Sequence, residues 1–169
     1  MDSKQFREAL GSFATGVCVV TTVPQSSQDS TSESGQPQNA APIGMTINSF
    51  SSVSLDPPLI LWSIQTNSDC YEVFDKAEYF GVSVLNAQHE NLSNTYAAKD
   101  SHTLQDEHYT LADSGCPLLV DSLADFECKV WAKYPGGDHT IIVGEVLNIQ
   151  SQPMGSPLVF FKGQYHRID

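Results

Sequence analysis

The stretch "ADFECKVWAKYPGGDHTIIVGEVLNI", residues 124–149, constrains this chain more than any other. In its first half Phe126, Cys128, Val130, Ala132 and Tyr134 alternate with polar or charged residues, among them Asp125, Glu127, Lys129 and Lys133. A period of two predicts a strand with one apolar face buried and one charged face in water. "PGGD" then reads as a turn, and His139 begins a second long, β-branched strand. A short turn between two strands forces them antiparallel, since parallel neighbours need a long crossover.

The other segments agree with an antiparallel design. Residues 2 to 12 suit a short helix with Phe6, Leu10 and Phe13 on one stripe. "VCVVTTV" and "LILWSIQ" read as core strands, and "YFGVSVLN" as another. "NSDCYEVFDKA" starts with cap residues and carries Tyr71, Phe74 and Ala77 at helical spacing, and "AQHENLSNTYAAK" predicts a further helix. "PLVFFKGQYHRI" predicts one last strand. Strands and helices do not alternate regularly, so about six or seven strands with short helices point to a mainly β, antiparallel barrel with helices at its edge.

At 169 residues the chain is expected to form one domain spanning 1–169. Residues 24–42 have no apolar side chain larger than alanine and bury too little surface to offset their ordering entropy. They predict a flexible loop insertion, far longer than the ~2–5 residues of an ordinary hairpin loop.

Composition excludes several functions. A net charge of −12 with only eight Lys and Arg argues against nucleic acid, whose phosphates require clustered cations. No run approaches the roughly 20 apolar residues of a membrane span, and "MDSKQFREAL" lacks the apolar core of a signal peptide. Cys18, Cys70, Cys116 and Cys128 are far apart, without a C-x-x-C, and read as reduced thiols of a cytoplasmic protein. Neither G-x-x-x-x-G-K-[ST], G-x-G-x-x-G nor G-x-S-x-G occurs. His102 and His108 lie in a polar region and read as solvated loop residues rather than a metal site.

One stretch invites a chemical reading. "IGMTINSFSSVSLDPP", residues 43–58, places Thr46, Asn48, Ser49, Ser51, Ser52 and Ser54 beside a core strand. Such a run can satisfy its own backbone as a turn, or offer donors to the edge of a flat polar heterocycle. The following "QTNSDCYEV" adds a helix start at Asn67, Ser68 and Asp69, whose free N–H groups suit either an ordinary cap or a phosphate.

In order along the chain stand "FREALGSFATGVCVVTT", "GMTINSFSSVSLDPPLILWSI", "FGVSVLNAQHENLS", "FECKVW", "GGDHTIIVGEV" and "PLVFFKGQYHRI". From about residue 6 to residue 168 this order resembles the flavin reductase-like family, the small reductases of two-component flavin monooxygenases. The resemblance implies a split β-barrel, usually a homodimer, that binds FMN or FAD, takes electrons from NADH or NADPH and supplies reduced flavin to a partner oxygenase. It also admits an FMN-holding electron carrier or oxidase of the same fold, or a non-catalytic flavin binder. Carried over by motif, Thr46, Ile47, Asn48, Ser49, Ser52 and Val53 would contact the isoalloxazine and ribityl chain, Asn67 and Ser68 the sugar or phosphate, and His139 of "GDH" the nicotinamide. The family's Asp-Arg-Phe or Asp-Lys-Phe element is absent from "YAAKDSHTLQDEHYTL", leaving Lys99 as its substitute near the phosphate.

Overall fold

The protein's architecture was taken from a computed structural model that describes residues 2–25, 40–152 and 155–168. Most of the insertion expected at 24–42 falls at 26–39, outside the described residues.

Helix α1 (Ser3–Leu10) is capped by Asp2, whose carboxylate accepts from the Lys4 N–H at 3.0 Å. The strands are β1 (Thr15–Gly16), β2 (Cys18–Thr22), β3 (Ile43–Ile47), β4 (Ser51–Leu55) and β5 (Pro58–Gln65). After α2 (Tyr71–Lys76) come β6 (Tyr79–Val84), α3 (Glu90–Ala97), a 3-10 turn at Asp106–His108, β7 (Tyr109–Leu111), β8 (Pro117–Leu119), β9 (Ala124–Gly136), β10 (His139–Ser151), β11 (Leu158–Phe161) and β12 (Gln164–Arg167). Seven strands form one antiparallel sheet in the order β3-β2-β6-β9-β10-β5-β4, and β1, β11 and β12 form a second. This is the antiparallel split barrel expected from the sequence.

The core divides at β2, which is buried along its whole length. Cys18 and Val20 face a cluster with Trp62, Phe74, Phe80 and Ile142. Val19, from the opposite face, joins Leu85, Tyr96, Leu104 and Leu158. A β-branched strand with apolar residues on both faces is what separates two packed layers.

Several expectations are corrected. The final segment is a hairpin, not one strand: Lys162 and Gly163, both at positive φ, turn the chain so that Phe161 pairs with Gln164. The helix after "QTN" begins only at Tyr71, with Cys70 as N-cap and no side-chain cap, so Asn67 and Ser68 lie in the preceding turn. The stripe of α1 is not packed: Phe6 is 50% exposed and Phe13, just past the helix, 78%.

The outer face of β9 is not uniformly wet either. Glu127 is buried, accepting from Ser114 Oγ at 2.6 Å and Asn148 Nδ2 at 2.9 Å, and Asp125 accepts from Ser83 and Ser122. The β7–β8 hairpin covers this end of the sheet so closely that a Cβ on Gly81 would stand 2.7 Å from the Pro117 carbonyl oxygen. Burial pushes the Asp125 carboxyl above its ordinary range, while the hydrogen bonds from Ser122 and Ser83 pull it back in part.

A raised carboxyl binds protons more tightly folded than unfolded, so its contribution to stability falls as pH climbs from the ordinary carboxylate value through the raised one. Urea unfolding between about pH 4 and 7 should show that decline in the wild type and a flatter profile in Asp125→Asn. Parallel profiles would mean that Asp125 titrates as a solvated carboxyl does.

Candidate functional site

Among the described residues, strand β3 is an edge strand, bonded to β2 on one side only. The Gly44 N–H donates away from β2, to the His102 carbonyl at 2.8 Å. Backbone direction alternates along a strand, so the N–H and C=O of Thr46, two residues on within β3, also point away from β2. Residues 102–104 cover only the beginning of this edge, through the Gly44 bond and a bridge from Ile43 to Thr103. Beyond Gly44 the edge opens on a cleft of about 470 Å³, a size usual for small-molecule sites.

The cleft gathers Thr46, Ile47, Asn48, Ser49, Ser68 and His139, all named from the sequence. Three elements bring them together: the β3 edge, the turn before α2, and the start of β10. The register places His139 opposite Gln65 of β5 and Gly136 of β9. Its Nδ1 donates to Asp138 Oδ1 at 2.7 Å, which aims the other ring nitrogen away from Asp138. That hydrogen bond, helped by the imidazole's charge when protonated, holds the Asp138 carboxyl below its ordinary range.

The four other residues named from the sequence do not line this cleft. Ser52 and Val53 are on β4, where a register irregularity between Ser52 and Ser54 leaves Val53 exposed, and β4 runs away from the cleft along β5. Asn67 is exposed in the turn beside Ser68. Lys99 is exposed beyond α3, next to Asp100, whose N–H donates to Asp69 Oδ2 at 2.9 Å. The cleft also includes Met45, Ser63, Gln65 and Ile141, which the sequence did not single out. Their signal was there in the pairing of β5 with β10, which sets Ser63 opposite Ile141, but register is not legible before the strands are paired.

The hydroxyls of the polar stretch are not equivalent. Thr46 Oγ1 donates to the Ser93 carbonyl at 2.7 Å, tying β3 to α3. Ser49 Oγ accepts from the Ser63 N–H at 3.0 Å and donates to the Ser63 carbonyl at 3.3 Å, a side chain extending the β4–β5 ladder where its backbone pairing stops. Asn48, between them, is exposed at the rim. What the cleft offers a ligand is therefore the backbone edge of residues 46–48, the Asn48 amide, Ser68 and the His139 ring. Donors and acceptors in one row beside the apolar walls of Ile47, Ile64 and Ile141 suit a flat heterocycle with a polar edge.

The antiparallel split barrel is also the fold of solved flavin reductases. Residues 10–169 match the model of the flavin reductase like domain, and the chain belongs to that family. It is 42% identical to the FMN reductase (NADH) SmoA of Agrobacterium fabrum, across 99% of this chain and 87% of that protein. It is 36% identical to an NADH-dependent flavin reductase of a Rhodococcus species, across 96% of this chain and 85% of that one. Among solved structures, the Streptomyces globisporus NADH:FAD oxidoreductase SgcE6, in complex with NAD and FAD fragments, superposes with a TM-score of 0.86 at 34% identity, covering 99% of this chain and 93% of that one.

Because Ser49 Oγ satisfies both backbone groups of Ser63, Ser49→Ala should cost stability, about 1–3 kcal/mol if a buried backbone group is left unpaired. Denaturant midpoints compare the variant with the wild type; an unchanged midpoint would show that water replaces the hydroxyl.

Proposed function

We propose that the protein is an NADH-dependent flavin reductase in which the Thr46–Ser49 edge and Ser68 hold FMN or FAD and the His139–Asp138 pair receives the nicotinamide. The observation that carries this reading is the convergence of Thr46, Ile47, Asn48, Ser49, Ser68 and His139 on one open cleft. Bound flavin supplies the hydride acceptor and bound nicotinamide the donor.

The chain's own contribution is positional. The outward N–H and C=O of Thr46 and the Asn48 amide would hydrogen-bond the polar edge of the isoalloxazine, and their N–H donors would favour added negative charge on it. Ile47, Ile64 and Ile141 give the ring an apolar wall and exclude water from one side. Ser68 and the turn around it meet the sugar or phosphate. His139, steadied by Asp138, orients the carboxamide of the nicotinamide through its outward nitrogen. No proton has to be removed by the protein for hydride transfer, so His139 acts by position.

Exposed residues at the rim, Asn48, Gln65 and Gly136 among them, leave the cleft open for flavin to exchange. That supports release of reduced flavin to an oxygenase, as does the 30% identity of this chain to the flavin reductase of a styrene monooxygenase. The exposed stripe of Phe6, Leu10 and Phe13, with Leu147 and Ile149 on β10, supports a homodimer that covers apolar surface. The chain is read as one domain, in which the insertion at 24–42 joins β2 to β3.

His139→Ala should lower the rate of flavin reduction or raise the NADH concentration required, by about 5- to 150-fold for ~1–3 kcal/mol, with flavin affinity nearly unchanged. Asn48→Ala should do the opposite, weakening flavin binding by roughly 0.5–1.5 kcal/mol with little effect on the nucleotide. Stopped-flow reduction of the flavin-loaded protein and flavin titrations separate the two effects. If His139→Ala reduces flavin as the wild type does, at every NADH concentration, the histidine is not in the nucleotide site.

A further inference from the structure

A second cluster of chemical groups lies behind the cleft wall. Asp69 and Cys70, in the turn that leads into α2, face His102, in the segment that covers the start of β3. The donor atoms of the three side chains lie within 4.8 Å of one another. His102 Nε2 stands 3.1 Å from Asp69 Oδ1, and its Nδ1 stands 3.1 Å from the Gly44 carbonyl oxygen. Asp69 is held from its other side, where Oδ2 accepts from the Asp100 N–H at 2.9 Å. This departs from the sequence reading of His102 and His108 as solvated loop residues. His102 is anchored at both ring nitrogens, and His108 Nδ1 pairs with the Tyr96 hydroxyl at 2.7 Å.

We propose that Asp69, Cys70 and His102 form a binding site for a divalent transition metal of the zinc class. With Nδ1–H donated to Gly44, His102 turns the lone pair of Nε2 toward a carboxylate oxygen, and two such atoms at 3.1 Å require a cation between them. A proton meets that need in isolation. A thiol within 4.8 Å of both, making an N, O and S set, is what selects a metal.

The spacing of Nε2 and Oδ1 agrees, with the thiol within 4.8 Å of both. Zinc bonds of about 2.0–2.2 Å to nitrogen and oxygen put neighbouring ligand atoms of a tetrahedron roughly 3.3 Å apart. The supporting bonds are those that orient metal ligands elsewhere: an imidazole donating its far N–H to a carbonyl, and a carboxylate fixed at its second oxygen. Access is from one side, because the Asp69 side chain is 32% exposed and that of His102 only 12%, with Cys70 buried beneath. Three protein donors then leave a fourth position for water on the Asp69 side.

Binding would send the thiol proton of Cys70, and any proton shared by Nε2 and Oδ1, to solvent. The metal would clip residues 69–70 to residue 102. Ser68, which accepts from the Cys70 N–H at 3.3 Å, would thereby fix one wall of the cleft.

The test uses the full-length, reduced protein and cobalt(II) alone, a zinc stand-in with a visible spectrum. Titration should give one equivalent per chain with thiolate-to-cobalt charge-transfer absorption, and zinc should bleach it. Cys70→Ser should abolish the charge-transfer band. His102→Ala should weaken cobalt binding beyond the ~10–100-fold that losing an outer-shell partner costs. No charge-transfer band at millimolar cobalt, or a band that survives Cys70→Ser, overturns the proposal. Should Cys70→Ser not fold, Asp69→Asn, which keeps an oxygen for the Asp100 N–H, and His102→Ala decide it: wild-type cobalt affinity in either overturns the site.

Discussion

The β9–β10 ladder is the constraint on which the rest of the structure depends. It runs unbroken in direction from the pair His139–Gly136 to the pair Ser151–Ala124, and every other strand of the large sheet is hung on one of its two sides. Strand β5 joins along β10 and β6 along β9. Two shifts of register within the ladder bend it. At one of them, Gly144 lets the Phe80 ring come so near that a Cβ there would stand 2.4 Å from it. Moving this register by one residue would turn Ile142 out of the core and His139 out of the cleft together. Core and candidate site therefore share one alignment.

The same ladder explains what was legible in the sequence. Alternation in "ADFECKVWAKY" and the turn at "PGGD" were readable because they are local, as was the doubly buried character of β2. What failed was set by partners distant in sequence. Glu127 alternates like a surface residue, yet the β7–β8 hairpin, in a stretch with no readable period, folds over it and supplies Ser114. The α1 helix was legible from its stripe, but the exposure of Phe6 and Leu10 was not. The Lys162-Gly163 turn passed unseen within an apolar run because a two-residue loop interrupts a strand pattern so briefly.

For the site, the sequence located the polar stretch but not how its groups are used. Six of the residues carried over by resemblance converge on one cleft. Two of those, Thr46 and Ser49, spend their hydroxyls on Ser93 and Ser63. Their small size and hydrogen bonds fix the path of β3 and β4, and that path frees the backbone edge between them. The hydroxyl-rich composition is thus first a device for exposing an edge strand at one place, and only second a set of ligand groups.

Charge adds a last constraint. The chain carries −12 overall, and among the described residues no lysine or arginine lines the cleft. A dianionic phosphate entering there would meet backbone N–H groups, hydroxyls and one histidine rather than a paired cation, so its electrostatic share of affinity is small and little screened by salt. In the proposed site, affinity would then come from apolar contact of the ring with Ile47, Ile64 and Ile141 and from neutral hydrogen bonds at Thr46 and Asn48, each worth about 1 kcal/mol net. Interactions of that kind would hold a flavin without locking it in. For the proposed activity that weakness is useful, because a reductase that hands its product on is limited by how readily the reduced flavin leaves.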